Sequence, residues 1–589
     1  MSRFSKEQLL KVLGYSDSPN YRSTAAQHHP LTAHLFREAK RAGAEGAYIF
    51  HTSPGDEILP PRPAIYVAEA NTREEAREIH RSLWNLGNAP FLIVVLPSEI
   101  RVYTGFDYGQ RNQTRGLIDH IEDFTNLDLG ERLGDYSADS IDSGRLWANQ
   151  ANHLKPGNRV DKHLLGNLKK LEAMLCKSGL ELETAHALIG KYVYIRYLKD
   201  RDILSKQWLA ENKITINSVL GRNATVRGLR RLVEALDERF NGDIFPLPLR
   251  GPKAPTDDQV ALAASAFEGD DPASGQMTAF GLYDFSYIPV ETLSAIYEQF
   301  LHAQDKGKKG GAVYTPEHLA DYLLAELNHA KPLESGMKVL DPCCGSGIFL
   351  VLAYRKLIEL ELREHTNQKL LPTELRTILT KSIFGVERNK EACLVTELSL
   401  ILTMLHYISP PELHRNKKFK FPPLHNKQIF EADFFDDSSA FWQKGEQFDW
   451  IIGNPPWIQA KSDSNENRLV SAWINDEKNR LEKPVGDNRV VEAFSWRVTD
   501  LLSENGCVGL VLHAKSLFNH TSKRYRQEFF RQHEVVRVTN FANFAYVMFK
   551  DRGDEPAVTI TYSKALPEEN KPPIIHYGPF LVNQFVSQT

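Results

Sequence analysis

The chain has 589 residues, with 71 Lys and Arg against 75 Asp and Glu for a net charge of −4, and is 42 % hydrophobic and 25 % charged. Those values exclude a disordered, collagen-like or disulfide-scaffold protein. The near-neutral balance excludes nucleic-acid binding by bulk charge while permitting a local basic cleft. At about 150 residues per domain, the length predicts three or four domains.

Residues 1–140 read as a mixed α/β domain. A strand is predicted at 63–70 (PAIYVAEA), a charged helix at 72–84, and strands at 91–96 and 99–103. From 141 to 305 helical periodicity takes over, as at 168–176 and 183–202, and a helical connector domain is expected. Within it 191–201 (KYVYIRYLKDR) mixes bases with aromatics at helical spacing, which favours a core helix with a solvated face over a nucleic-acid stripe. The Pro-, Gly-, Asp- and Ser-rich stretch 250–276 reads as a loop or hinge. A helix at 289–302 and a basic turn carrying Lys306, Lys308 and Lys309 follow. From 306 to 565 short apolar strands alternate with helices, the pattern of a doubly wound parallel sheet. Residues 566–589 read as the start of a missing or truncated C-terminal region.

In that last domain a short strand, 337–340 (MKVL), runs into Asp341-Pro342-Cys343-Cys344-Gly345-Ser346-Gly347 and then an apolar helix. Strand, glycine turn and helix form the crevice where nucleotide-like ligands bind. Gly345 and Gly347 allow positive φ and close approach of the backbone. The spacing is not GxGxxG, and Asp341 would repel a pyrophosphate but accept hydrogen bonds from an ammonium. A ligand with an ammonium and a ribose and no phosphates fits, and S-adenosylmethionine is one. A second strand, 382–386, ends in Glu387, suited to ribose hydroxyls. A third, 427–432, ends in Asp433, placed to accept an exocyclic amine.

The fourth strand, 448–453 (FDWIIG), leads into Asn454-Pro455-Pro456-Trp457. The prolines lock φ and donate nothing, so the carbonyls there become fixed acceptors. Asn454 adds a side-chain acceptor and Trp457 a face for stacking. Two acceptors binding the hydrogens of a conjugated amine draw its nitrogen toward tetrahedral geometry and free its lone pair, chemistry that requires neither a metal nor a nucleophilic side chain.

With these motifs in this order, the chain resembles the N6-adenine DNA methyltransferases of the type IIG and type I modification kind. The signature is GAVYTP at 311–316, then DPCCGSG, then GNPPW, and 283–301 resembles the helical lead-in of that group. The resemblance implies a Rossmann-like sheet preceded by the helical and mixed α/β domains, and site-specific transfer of a methyl group from S-adenosylmethionine to a flipped adenine in a restriction-modification or phage-defence system. It implies that Tyr314, Thr315 and Pro316 flank the methionine part of the cofactor and that Asp341, Gly345, Gly347, Glu387 and Asp433 bind it. Asn454, Pro455, Pro456 and Trp457 would hold the adenine. Double-stranded DNA is the implied partner, with a specificity or other defence-system subunit as a second. RNA-adenine and protein-glutamine methyltransferases also use an Asn-Pro-Pro turn and stand as alternatives, as does a bifunctional type IIG endonuclease–methyltransferase.

Type IIG enzymes carry a metal-dependent nuclease at the N-terminus, and Asp56 and Glu69 are spaced like its acids. Asn71 stands where the lysine is needed, so a nuclease-like fold without cleavage is expected. The Pro342-Cys343 pair echoes a nucleophile motif but sits in the cofactor turn. The histidines show no metal-ligand spacing. In the family's order a target-recognition domain follows the catalytic one, and few residues remain after Ser563. Five cysteines without a CxxC pair fit a reducing compartment. The first ten residues lack an apolar signal core, and 393–408, the longest nearly apolar stretch, carries Glu397 and His406 and is too short to span a bilayer. A cytoplasmic protein with no membrane contact is expected.

Overall fold

A computed structural model describes residues 5–28, 30–50, 62–109, 114–122, 126–240, 246–269, 280–302, 315–365, 369–416, 418–460, 467–548, 556–568 and 575–578. Asp56, the lysines at 306–309 and Tyr314 lie outside them. The chain divides into two compact units, one holding residues up to Pro289 and the helix Pro410–Arg415, the other running from Val290 to Ser409 and from Lys418 to Val582.

The first unit opens with a six-stranded sheet in the order β1 (Tyr21–Ser23), β2 (Gly46–Phe50), β3 (Arg62–Glu69), β4 (Phe91–Val95), β5 (Ile100–Thr104), β6 (Leu117–Ile121). Only β3 and β4 are parallel, joined across the helix Arg73–Leu86, which starts at Thr72 and stops at the left-handed Gly87. Alternate residues of β3 and β4 serve opposite faces: Ile65, Val67 and Ile93 join one apolar cluster, Tyr66, Ala68 and Leu92 the other. At the carboxyl end of β3, Glu69 accepts the backbone N–H of Lys6, and the Lys6 ammonium is paired with Glu45.

The helical part of this unit is built on Val160–Lys177, Leu182–Asp200 and Val226–Phe240. Along Leu182–Asp200 the residues from Tyr192 to Leu198 are buried all round, and Arg196 is spent on Asp200 and the Phe267 carbonyl. The stretch 191–201 is therefore core. The 250–276 stretch is not simply a loop. Asp257–Glu268 is a helix with a capping box between Thr256 and Gln259, which overrides the Pro- and Gly-rich flanks.

The second unit is the doubly wound α/β sheet that the strand–helix alternation predicts, with one difference. Among the described residues its strands are β7 (Val339–Asp341), β8 (Ile383–Glu387), β9 (Ile429–Glu431), β10 (Phe448–Gly453), β11 (Leu502–His513), β12 (Glu534–Asn540), β13 (Ala557–Ser563) and β14 (Ile575–Tyr577). They lie in the order β14-β12-β13-β11-β10-β7-β8-β9. Every pairing is parallel except those of β13, which is antiparallel to both neighbours. Side-chain period identifies 557–563 as a strand and carries no information on its direction. From β7 the chain proceeds outward to β8 and β9 and then crosses back to β10 on the other side. The carboxyl ends of β7 and β10 therefore face each other at the point where strand order reverses, the place where open α/β sheets bind ligands.

Candidate functional site

β7 ends in Asp341, buried at 1 % exposure, whose Oδ1 accepts the Cys343 N–H at 3.1 Å. The turn behind it is pinned from three sides. Cys344 N–H donates to the Val386 carbonyl of β8. Thr396, on the helix Lys390–Tyr407, donates its hydroxyl to the Gly345 carbonyl at 2.7 Å. Ser294, on the helix Val290–His302, donates to the Ser346 carbonyl at 2.5 Å. Gly347 then starts the helix Ile348–Glu364 at φ +87°. A Cβ on Gly347 would lie 2.7 Å from Thr396 Cγ2, so this glycine lets two helices meet. Neither Ser294 nor Thr396 stood out in the sequence, because a hydroxyl on an apolar helix carries no motif.

Glu387, at the tip of β8, accepts the Gly345 N–H at 3.1 Å and the Asn389 N–H at 2.8 Å, tying the glycine turn to the neighbouring strand. β9 stops at Glu431, two residues short of Asp433. Asp433 sits in the following turn, where Oδ1 accepts the Phe435 N–H at 2.8 Å and Oδ2 lies 3.6 Å from Arg388. The strand tips of β7 and β8 and the turn after β9 thus present three carboxylates in succession along one edge of the sheet.

At the tip of β10, the Asn454 amide donates to Thr315 Oγ1 at 3.1 Å. Thr315 is buried at 5 % exposure and Pro316 caps the helix Glu317–Ala330. The Cys343 thiol is held well above its usual range by burial and by the charges of Asp341 and Glu387. It remains a thiol at neutral pH and is no nucleophile.

Trp457 meets His513, the last residue of β11, edge to face with ring centroids 5.4 Å apart. Burial, with Lys515 and Arg489 nearby, lowers the His513 pKa to about 4. Its Nδ1 accepts the Lys515 N–H at 3.0 Å, so the proton of this neutral ring is on Nε2. The segment after Trp457 is laced to 486–490 by Val490 N–H to the Ile458 carbonyl and Ala460 N–H to the Asn488 carbonyl. Beneath that loop Glu492, fully buried, accepts the Gly486 N–H at 2.7 Å and the Ser522 hydroxyl at 2.6 Å. Burial pushes its pKa up to about 7. Neither His513 nor Glu492 has a signature in spacing.

Residues 290–549 match the family model described as N-6 DNA methylase, and that segment is an N6-methylase domain. A type II methyltransferase, M.BstVI of Geobacillus stearothermophilus, is 28 % identical over 224 residues, which are 37 % of this chain and 36 % of that protein. The Escherichia coli type II restriction enzyme and methyltransferase RM.Eco57I is 21 % identical over 433 residues, 65 % of this chain and 41 % of the relative. The chain therefore spans well under half the length of either. Among solved structures, that of the type IIL restriction-modification enzyme MmeI in complex with DNA superimposes with a TM-score of 0.47 at 18 % identity, covering 71 % of this chain and 58 % of that one. No helix among the described residues is long and apolar enough to cross a membrane.

Proposed function

We propose that this protein is a site-specific DNA adenine-N6 methyltransferase of a restriction-modification or phage-defence system. The observation that carries the reading is the placement of Asn454-Pro455-Pro456-Trp457 at the tip of β10, directly across the strand-order reversal from the Asp341 turn at the tip of β7. An N6-methylase domain covering both motifs supports it.

The residues along the sheet edge fit S-adenosylmethionine by their chemistry. A buried carboxylate at Asp341 suits an ammonium, Glu387 suits ribose hydroxyls, and Asp433 suits the amine of an adenine ring, with Gly345 and Gly347 allowing the backbone to turn closely. Thr315 and Pro316 stand beside Asn454, and Tyr314 precedes them in sequence. When bound, the cofactor supplies an electrophilic methyl group on a sulfonium. Asn454, through its side-chain oxygen, and Pro455, through its carbonyl, accept the two hydrogens of the target amine and turn its lone pair outward. Trp457 offers the face on which the base rests. Fixed acceptors of this kind act without reorganising as charge develops on the nitrogen.

Double-stranded DNA is the proposed substrate, a specificity or other defence-system subunit a proposed partner, and the cytoplasm the proposed site of action. The N-terminal sheet is read as a nuclease-like or docking module without cleavage, since Glu69 is engaged with Lys6 and Asn71 takes the place of the needed lysine. The test is tritiated methyl transfer from S-adenosylmethionine to double-stranded DNA, single-stranded DNA, RNA and protein. Label in adenine of duplex DNA is expected. Label confined to RNA or to protein glutamine would transfer the reading to the corresponding methyltransferase class.

A further inference from the structure

We propose that residues 515–524, directly beyond β11, form a DNA-contacting surface: Lys515 and Lys523 take backbone phosphates beside the target adenine, and Phe518 takes a base face. The inference rests on the methyltransferase reading and goes beyond it by saying over which surface of the second unit the duplex runs.

The position follows from the sheet. β10 and β11 are parallel neighbours with Gly453 level with Leu510, so both strands deliver the chain to the same edge. There β10 leads into Asn454-Pro455-Pro456-Trp457, and β11 ends in His513, whose ring meets Trp457 with centroids 5.4 Å apart. Two residues after His513 the helix Lys515–Phe518 begins. The surface therefore starts next to a side chain that touches the base-holding tryptophan.

Its chemistry is that of a partner to a polyanion. Residues 515–527 (KSLFNHTSKRYRQ) carry four Lys and Arg and no Asp or Glu, in a chain whose net charge is −4. Arg526 is consumed by the fold, donating to the Ser516 and Asn519 carbonyls and so holding the turn in shape. Lys515 and Lys523 are exposed and make no ion pair among the described residues. Lys523 and Arg524 open the helix Lys523–Gln532, whose first turn holds no acid, although a helix start favours negative charge. Neither packing nor helix stability calls for these bases.

Phe518, between the two lysines in sequence, is 54 % exposed. It borders a groove of about 230 Å³ together with Lys515, Asn540, Ala542 and Pro556. An aromatic ring among cations suits a partner with flat apolar faces between anions, which a duplex offers where a base is extruded from its stack. An acidic protein is the other polyanion to consider. The surface, however, borders the site that receives the base, and the strand carrying that base runs past it.

The experiment uses the full-length protein, S-adenosylmethionine and a mixed-sequence duplex containing adenine. Affinity is measured at salt concentrations between about 50 and 200 mM, with methyl transfer to the same duplex alongside and thermal melting to show that each variant folds. Lys515→Ala and Lys523→Ala are each expected to lower the slope of log affinity against log salt by about 0.9, the loss of one phosphate contact. Phe518→Ala is expected to weaken binding roughly tenfold with the slope unchanged, since stacking releases no counterions, and Phe518→Trp to bind like the wild type. An unchanged slope in either lysine variant overturns the proposal and leaves the surface to an acidic protein partner. Wild-type affinity in Phe518→Ala overturns it as well. Both results leave the methyltransferase reading intact as long as the wild type methylates the duplex. A wild type that neither binds nor methylates duplex DNA overturns that reading and the proposal with it.

Discussion

The carboxylate of Asp341 leans across the sheet onto Gly453: a Cβ built on that glycine would lie 2.8 Å from Asp341 Oδ1 and 3.2 Å from Pro342 Cδ. A side chain on the last residue of β10 would thus displace the carboxylate of the last residue of β7. Two motifs that are far apart in the chain, the acidic turn and the Asn-Pro-Pro-Trp turn, are coupled by this single close approach.

Gly453→Ala is accordingly expected to push the Asp341 carboxylate off the Cys343 N–H. A hydrogen bond to a charged group is worth about 1.5–3 kcal/mol, so S-adenosylmethionine affinity should fall roughly tenfold or more. Calorimetry on the purified variant checks this, and an unaltered affinity in a folded protein would show that Asp341 does not hold the cofactor.

Asn454→Ala is expected to leave cofactor binding largely intact and to lower the transfer rate by on the order of 100-fold or more, the usual cost of losing one transition-state partner. Single-turnover methylation alongside calorimetry separates the two effects. Transfer at close to the wild-type rate would remove Asn454 from the chemistry.

The structure gives Gly347 the positive φ that the glycine turn predicts and places Thr396 where a side chain would go. Gly347→Ala should therefore lower thermal stability as well as cofactor affinity. Losing positive-φ compatibility costs on the order of 1 kcal/mol or more, before the clash with Thr396 is added. A melting temperature equal to that of the wild type would contradict this packing role.

Glu492 makes stability depend on pH in a definite direction. Its carboxyl has a pKa of about 7 when folded against an ordinary 4.5, so between those values the folded chain holds a proton that the unfolded chain has released. Stability from this group is therefore present at low pH and is lost as pH rises through 7. Glu492→Gln, whose single oxygen can accept the Gly486 N–H while its NH2 donates to the Ser522 hydroxyl, should gain on the wild type in melting temperature between about pH 5 and pH 8. A constant difference across that range would place the ionisation elsewhere.

The N-terminal unit is expected not to cut DNA. Unmethylated plasmid incubated with magnesium and S-adenosylmethionine should remain uncut, and Glu69→Ala should change nothing. Discrete linear fragments that disappear in Glu69→Ala would make the bifunctional reading the right one.

Much of the second unit was legible along the chain. The strand 448–453 matches β10 residue for residue, and the acidic tips of β7 and β8 stand where the apolar runs stop. Such features are local: a run of apolar residues, a proline pair or a glycine turn constrains its own backbone whatever lies around it. The helix Asp257–Glu268 was also locally encoded, by its capping box, but was masked by the composition of its flanks.

The rest depended on which distant segments meet. The antiparallel sense of β13, the bracing of Gly345 and Ser346 by Thr396 and Ser294, the burial of Glu492 and the bond between Thr315 and Asn454 join residues from separate elements. Side-chain periodicity says which face of a strand or helix is buried, and a motif says which atoms are available. Whether a particular hydroxyl reaches a particular amide is decided by sheet register and by the packing of helices over it, which the whole unit settles cooperatively and no short stretch of sequence contains.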